Sequence, residues 1–112
     1  MNTNVRQRDD VTILDLKGKI TIGSGDVALR NAIQEVINNG AQKVLINMRE
    51  VSTIDSSGIG ELVSAYTTAT NRGAKLKLFC LPAKVTDILT ITQLITVFDV
   101  YDTEDEAVRS FA

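Results

Sequence analysis

The stretch TIDSSGIGEL, residues 53–62, decides both how this chain folds and where its functional site lies. An apolar strand and a polar turn end in the adjacent serines Ser56 and Ser57, and an amphipathic helix is predicted to start directly behind them. Backbone N–H groups and the positive end of a helix dipole favour an anion at such a place. Two hydroxyls beside a helix N-terminus can therefore carry a reversible phosphate, which indicates a switch rather than a catalyst.

Strand and helix patterns alternate along the rest of the chain. Strands are predicted at residues 5–7, 11–16, 43–48, 75–80 and 97–101, and helices at 26–38, 58–71, 82–92 and from 103 onward. Gly18 is expected to end the second strand, which carries apolar residues on both faces and is therefore placed inside the sheet. This order predicts an α/β fold: a mixed, mainly parallel sheet of four to five strands with about four helices and an antiparallel N-terminal strand.

Each predicted helix carries an apolar stripe at helical spacing. The residues expected to face the core are Leu29, Ala32, Ile33, Val36 and Ile37 in the first helix, Ile59, Leu62, Val63 and Tyr66 in the second, and Val85, Ile88 and Leu89 in the third. Ser24 or Asp26 is expected to cap the first helix, and Pro82 suits the first turn of the third. Thr103 and Glu106 have the spacing of a capping box for the last helix.

Length and composition limit the classes of protein to which this chain can belong. At 112 residues the chain is expected to form one domain over residues 1–112, and its 44% hydrophobic content suffices for one core. The net charge of −2 disfavours nucleic acid as a partner, since a phosphate backbone requires a basic footprint. No apolar stretch approaches the length of a membrane span, so a cytoplasmic protein with no membrane partner is expected.

Histidine is absent, and Cys80 is the single cysteine. Zinc and most transition-metal sites thereby lose their usual ligands, and Ser-His-Asp or Cys-His catalysis is impossible within the chain. Cys80 lies in an apolar run and is interpreted as a buried small hydrophobe. A nucleophile elbow needs glycine two residues on either side of its serine, and only Gly58 meets that condition, for Ser56. The sequence therefore predicts no metal, no cofactor and no enzymatic activity.

The strand, turn and helix together resemble a STAS domain, and most of all the stand-alone anti-anti-sigma factors, also called anti-sigma factor antagonists. The residues that carry the resemblance are Leu45, Ile46, Asn47, Met48 and Val51, the run IDSSGIG at 54–60, and the supporting segments 16–20 and 75–78. The resemblance covers nearly the whole chain in the family's order of elements. It implies that the α/β fold is a single STAS-type domain.

The resemblance also implies a phosphorylation switch at Ser56, the serine directly after Asp55. In the family, this serine is phosphorylated by an anti-sigma factor that is also a serine kinase with a histidine-kinase-like ATP fold. The unphosphorylated protein binds the kinase and frees the sigma factor, and a PP2C-type phosphatase removes the phosphate. Added charge at Ser56 is expected to exclude the partner rather than to refold the domain, because a helix N-terminus tolerates an anion.

Partner binding is predicted at the turn and on the exposed side of the second helix. The predicted residues are Asp55, Ser56, Ser57, Gly58, Ile59, Gly60, Glu61 and Ser64. Ser56 is the predicted phosphoacceptor, with a helix cap as its alternative role, and Ser57 is interpreted as the N-cap, with a second phosphoacceptor as the less favoured alternative. Asp55 is expected to bond the backbone of its own turn, or, in a functional role, to orient Ser56 or to meet a basic group of the kinase.

Small residues on the second helix indicate that a partner can come close. Gly58 and Gly60 would allow tight backbone packing at the turn and close approach of another protein, and Glu61 would add favourable charge in the first helical turn. The exposed side of this helix is expected to carry Glu61, Ser64, Ala65 and Thr68. An ordinary solvated face is the equally favoured alternative.

Two features depart from the family pattern and alter the expected partner surface. Asn47 stands in the strand before the turn, where the family often has aspartate, and the loop at 21–25 is longer and richer in glycine than in the best-known members. Gly23, Ser24 and Gly25 match half of a phosphate-binding loop but lack its lysine and its full glycine spacing. A flexible rim near the turn is therefore favoured over a nucleotide site.

A second hypothesis keeps the fold and changes the function. It is a STAS scaffold or regulatory module of a stressosome-like or membrane-associated assembly without sigma control. A neighbouring gene for a kinase-like or PP2C-like protein would favour the phosphorylation switch over this hypothesis. A monomer or weak dimer is expected in either case.

Overall fold

A mixed sheet of five strands forms the centre of the computed structural model, which describes all of residues 1–112. The strands are β1 (Asn2–Arg8), β2 (Val11–Ile20), β3 (Lys43–Ile54), β4 (Lys75–Phe79) and β5 (Asp99–Tyr101). They lie side by side in chain order; β1 is antiparallel to β2, and all other neighbours are parallel. The predicted α/β architecture with its antiparallel first strand is confirmed.

Four helices accompany the strands, as predicted. They are α1 (Gly25–Asn38), α2 (Ser56–Asn71), α3 (Ala83–Ile91) and α4 (Glu104–Arg109), and a 3-10 turn at Leu94–Thr96 follows α3. The first three link parallel strands, which a short hairpin cannot join. Thr103 caps α4 as the capping-box spacing predicts, because its hydroxyl accepts the N–H of Glu106 at 3.2 Å. No helix is both long enough and apolar enough to cross a bilayer.

Two strands run further than their sequence patterns predict. The expectation that Gly18 ends β2 is wrong: the strand continues to Ile20, with Gly18 at a φ of 113° beside an irregularity in the pairing. Strand β3 passes Met48 and reaches Ile54, which pairs with Ile20. Backbone bonds between the two strands hold these residues in the sheet, a tertiary effect that overrides local propensity. A single residue, Asp55, then separates β3 from α2.

The apolar stripes of α1, α2 and α3 cover one face of the sheet. The buried members are Leu29, Ala32, Ile33, Val36, Ile37, Ile59, Leu62, Val85 and Leu89. Val63, Tyr66 and Ile88 are half-buried against the same core. Tyr66 meets Phe98 edge to face with ring centroids 5.5 Å apart, a contact worth about 0.5–1.5 kcal/mol beyond burial. Helical periodicity therefore located this core correctly.

Helix α4 covers the opposite face of the sheet. A second cluster there consists of Val11, Ile13, Leu45, Phe79, Ala107, Val108 and Phe111. Lys77 lies under the same helix and is only 8% exposed; its Nζ donates to the backbone oxygen and to Oγ of Ser110, both at 3.0 Å. The central strands are apolar on both sides because both faces are covered, which confirms the interior position predicted for β2.

The predictions for the starts of α1 and α3, and for Cys80 between β4 and α3, are only partly correct. Of the two expected caps of α1, Ser24 holds the N-cap position without a side-chain bond, and Asp26 accepts the N–H of Val27 at 2.8 Å. Pro82 is the N-cap of α3 rather than its first residue. Cys80 is half-buried rather than fully buried: β4 stops at Phe79, and Cys80, with a φ of 58°, packs at the edge of the cluster under α4.

A polar cluster ties β1, β2 and β3 to α4. Arg6 donates from Nε to Asp15 at 2.8 Å and also pairs with Glu104. Asn47 donates from Nδ2 to Oδ1 of Asp15 at 2.9 Å. Burial raises the pKa of Asp15, but hydrogen bonds from Arg6, Asn47 and Asn4 outweigh burial and hold that pKa below its ordinary value. Asn47 therefore supplies a hydrogen-bond donor that an ionised aspartate at this position could not.

Asn47→Asp should destabilise the protein by about 1–2 kcal/mol at pH 7, because a charge-assisted hydrogen bond is lost and two carboxylates come to face each other. The penalty should shrink at pH 4.5, since the new pair takes up a proton more readily than an isolated carboxylate. Urea unfolding at both pH values measures the difference. Asn31→Asp, on the exposed side of α1, is the control and should stay within about 0.5 kcal/mol. Unchanged stability of Asn47→Asp at pH 7 would contradict this role.

Candidate functional site

Asp55 joins two chain segments at the carboxyl end of the sheet. It is the N-cap of α2, with φ −109° and ψ −173°, and its Oδ1 accepts the N–H of Gly58 at 2.9 Å. Its Oδ2 accepts the N–H of Ile22, in the loop between β2 and α1, at 3.0 Å. The prediction that Asp55 bonds the backbone of its own turn is confirmed, and the second bond fixes the neighbouring loop as well.

The caps predicted at the serines are wrong. Asp55 is the N-cap, and α2 begins at Ser56, two residues before the predicted start at Gly58. Because β3 extends to Ile54, only Asp55 remains between strand and helix, and aspartate caps helices as well as serine does. Ser56 and Ser57 are therefore the first two residues of the helix.

The two serines differ in exposure. Ser56 is exposed to solvent, whereas Ser57 is half-buried. Ile59, also among the predicted partner-binding residues, is 8% exposed and belongs to the core. Ser56 therefore offers the more accessible hydroxyl, and it lies at the positive end of a helix of 16 residues.

At Gly58, α2 packs closely against the end of β2. A Cβ placed on Gly58 would lie 2.1 Å from the carbonyl oxygen of Ile20 and 2.7 Å from Cγ1 of Ile54. No side chain fits at those distances unless the backbone moves. Gly60 is exposed, and a Cβ placed there would have no neighbour within 4 Å. Tight packing explains Gly58, while Gly60 leaves an open patch on α2.

The side of α2 that carries Glu61 packs against α1. Arg30 of α1 donates from Nε to Oε1 of Glu61 at 3.0 Å, and the Glu61 side chain is 14% exposed. The prediction that Glu61 adds charge to the first turn is wrong, because the helix begins earlier than predicted. On the side expected to be exposed, Ala65 is buried and Thr68 half-buried, whereas Ser64 is exposed.

Sequence reasoning missed Ile22. Its side chain is 74% exposed, and its N–H is bonded to Asp55. The loop predicted to be a flexible rim is further fixed by the N–H of Asp55 to the oxygen of Ile20 at 3.3 Å, and by the N–H of Asp26 to the oxygen of Thr21 at 3.0 Å. In the sequence, Ile22 is a lone apolar residue among small and polar loop residues, and it belongs to no periodic apolar stripe that would be buried in the core. This isolation was the signal that could have identified Ile22 as exposed.

Charge at the turn is set by Asp55. The hydrogen bond from Gly58, and then the one from Ile22, hold the pKa of Asp55 below its ordinary value because both N–H groups stabilise the ionised carboxylate. Nowhere in the chain do three His, Cys, Asp or Glu side chains lie close enough together to hold a metal ion. The arrangement therefore presents a rigid turn with one fixed negative charge and an exposed serine.

Asp55→Ala should lower the Tm at pH 7, because α2 and the loop lose their shared acceptor. The Tm difference from wild type should be constant above about pH 5 and should narrow below about pH 4. The folded-state pKa lies below the unfolded value, so the stabilisation is lost only as the pH falls through the folded-state pKa. Thermal unfolding by circular dichroism between pH 7 and pH 2.5 measures this. A difference that stays constant at the lowest pH would exclude the ionised carboxylate as its cause.

Similarity to known proteins extends along nearly the whole chain. A model of the STAS domain family matches residues 2–107. A Thermotoga maritima protein, provisionally named an anti-sigma factor antagonist, is 28% identical over 101 residues, which cover 90% of this chain and 89% of that protein. The anti-sigma-B factor antagonist of Bacillus subtilis is 28% identical over 100 residues, which cover 89% of this chain and 90% of that protein.

The three-dimensional comparison agrees with the sequence comparison. A crystal structure from Thermotoga maritima, also provisionally described as an anti-sigma factor antagonist, superposes with a TM-score of 0.88 at 26% identity. The superposition covers 96% of this chain and 92% of that one. Given the family match over residues 2–107 and the shared fold, this chain belongs to the STAS domain family.

Proposed function

We propose that this STAS domain is an anti-sigma factor antagonist that acts as a phosphorylation-controlled binding module. Its unphosphorylated form binds an anti-sigma factor that is also a serine kinase, and the sigma factor is released. Phosphorylation of Ser56 switches this binding off, and a PP2C-type phosphatase resets it. Two relatives that carry the name anti-sigma factor antagonist, and that align with about nine-tenths of this chain, support this class of partner.

The exposed position of Ser56 at the start of α2 is the observation that carries the proposal. A phosphate there would bring roughly −1.5 to −2 units of charge at pH 7. The positive end of the helix favours that charge, so the fold is retained. A partner packed on the turn would instead meet two adjacent negative groups, the phosphate and Asp55, and would be repelled. Ser57, half-buried, is the less favoured acceptor.

The proposed module needs no catalytic group of its own, because the kinase and the phosphatase carry out the chemistry. The chain has no histidine with which to activate a serine nucleophile. We therefore propose a cytoplasmic protein, monomeric or weakly dimeric, with neither enzymatic activity nor a cofactor. Its recognition is directed at protein partners rather than at nucleic acid or membrane.

Intact-mass spectrometry followed by peptide mapping tests the proposal. The protein is incubated with ATP and the candidate serine kinase encoded beside its gene. One phosphate on Ser56 is expected in wild type and in the matched control Ser57→Ala, and none in Ser56→Ala. A stable complex that forms without phosphate transfer would favour the scaffold hypothesis and leave Ser56 with a structural role at the helix start.

A further inference from the structure

Two isoleucines of this chain are strongly exposed, Ile91 at 80% and Ile22 at 74%. Ile91 ends α3, and a helix that links parallel strands returns the chain toward the amino end of the sheet. Ile22 lies at the opposite end of the sheet, in the loop between β2 and α1. Its own backbone N–H is bonded to Asp55, the residue before Ser56. An exposed isoleucine side chain contributes little to the free energy of folding. Its burial against a partner would contribute more to the free energy of binding.

The backbone that carries Ile22 is held rigidly beside the phosphoacceptor turn. One carboxylate, that of Asp55, accepts the N–H of Ile22 at 3.0 Å and the N–H of Gly58 at 2.9 Å. The oxygen of Ile20 accepts the N–H of Asp55 at 3.3 Å and lies directly against Gly58. A side chain presented on a fixed backbone loses less conformational entropy on binding, which favours its use as an anchor.

We propose that Ile22 is an apolar anchor that inserts into an apolar socket of the serine kinase, and that Asp55 is the positioning residue that holds it there. The inference rests on the proposed function, since Ser56 marks the place that the kinase must reach. A kinase that approaches Ser56 also meets Ile22, because one carboxylate bonds both segments. Ile22 then determines specificity, as a kinase without the socket would leave the side chain in water.

Paired serine substitutions test the anchor. The dissociation constant for the neighbouring-gene kinase, loaded with a non-hydrolysable nucleotide, is measured for wild type, Ile22→Ser and the matched control Ile91→Ser. Ile22→Ser should weaken binding roughly tenfold to a hundredfold, as the loss of one buried isoleucine implies, and Ile91→Ser less than about twofold. Both variants should keep the wild-type Tm, because both side chains are exposed.

The outcomes separate the two proposals. If wild type binds and Ile22→Ser binds equally well, the anchor is refuted and the proposed function stands. If Ile22→Ser and Ile91→Ser weaken kinase binding equally, the effect is not specific to Ile22, and the anchor is refuted. If wild type does not bind the kinase at all, the proposed function falls and the anchor falls with it.

Asp55→Asn tests the positioning role. Asparagine can still accept the N–H of Gly58 but turns an amide N–H group toward Ile22, so the loop bond is lost. Hydrogen exchange of the Ile22 amide, followed by NMR without the kinase, should accelerate roughly tenfold or more. In the Ile22→Ser background, Asp55→Asn should weaken kinase binding little further. An unchanged exchange rate, or fully additive losses of binding, would refute positioning by Asp55.

Discussion

Gly58→Ala should lower the free energy of unfolding by about 3 kcal/mol, although alanine is ordinarily the better helix former. The added Cβ would lie 2.1 Å from the oxygen of Ile20, 2.7 Å from Cγ1 of Ile54 and 2.8 Å from Cγ2 of Ile20. One of these neighbours is backbone inside the sheet, so the start of α2 has to move. The gain in helix propensity, about 1 kcal/mol, does not offset this displacement. Urea unfolding followed by circular dichroism measures the change.

Gly60→Ala is the matched control for this prediction. It makes the same chemical change two residues along the same helix, where an added Cβ meets nothing within 4 Å. It should stabilise the protein by about 0.5–1 kcal/mol, because an exposed helical glycine is replaced by the best helix former. Equal effects of the two substitutions would show that α2 does not rest on the end of β2 at Gly58.

Ser56→Asp should weaken binding to the serine kinase by roughly a hundredfold or more while leaving the fold intact. A carboxylate at the first position of α2 is favourable for the helix, so the Tm should stay within about 2 °C of wild type. In Ser56→Asp the new charge stands beside the ionised carboxylate of Asp55. A kinase that packs on this turn would have to cover two adjacent like charges, which is strongly unfavourable. Calorimetric titration of the kinase together with thermal unfolding measures both quantities.

Control variants show whether the loss of kinase binding depends on where the charge lies or only on its addition. Thr3→Asp adds the same charge on the exposed surface of β1 and should bind as wild type does. Ser56→Ala should bind with wild-type affinity and should not be released when ATP is added, because no phosphate can form at that position. If Ser56→Asp binds as well as wild type does, repulsion at the turn is not the mechanism of the switch.

Local pattern was enough to predict the architecture. Strand and helix signals alternate with little overlap, and the α1 stripe at helical spacing is buried throughout. The junction of strand and helix was placed correctly near Ser56 because polar residues interrupt two apolar patterns there, although Ser56 proves to be the first residue of α2. Element boundaries were less predictable: the sequence pattern predicts this strand only to residue 48, whereas pairing with β2 holds the last residues of β3 in the sheet.

Contacts between distant residues decided the details of the site. Asp55 bonds Ile22 across 33 positions of sequence, and nothing local marks Ile22 as its partner. The capping role moved from Ser57 to Asp55 because the tertiary pairing of β3 left no other residue between strand and helix. The sequence predicts that Glu61 adds charge to the first turn on the exposed side of the helix, yet Glu61 instead accepts a hydrogen bond from Arg30 of the neighbouring helix.

The sequence by itself determined the order of the elements, the core stripes, the lack of histidine chemistry and the place of the serine turn. These follow from residue type and periodicity, which act over a few neighbouring positions. Only the tertiary structure decided which residue caps α2 and which serine is exposed. It also decided that Asn47 donates a hydrogen bond to Asp15 and that Asp55 holds the backbone of Ile22 near Ser56. Those outcomes depend on strand pairing and on hydrogen bonds between segments far apart in the chain, and a local pattern carries no information about such partners.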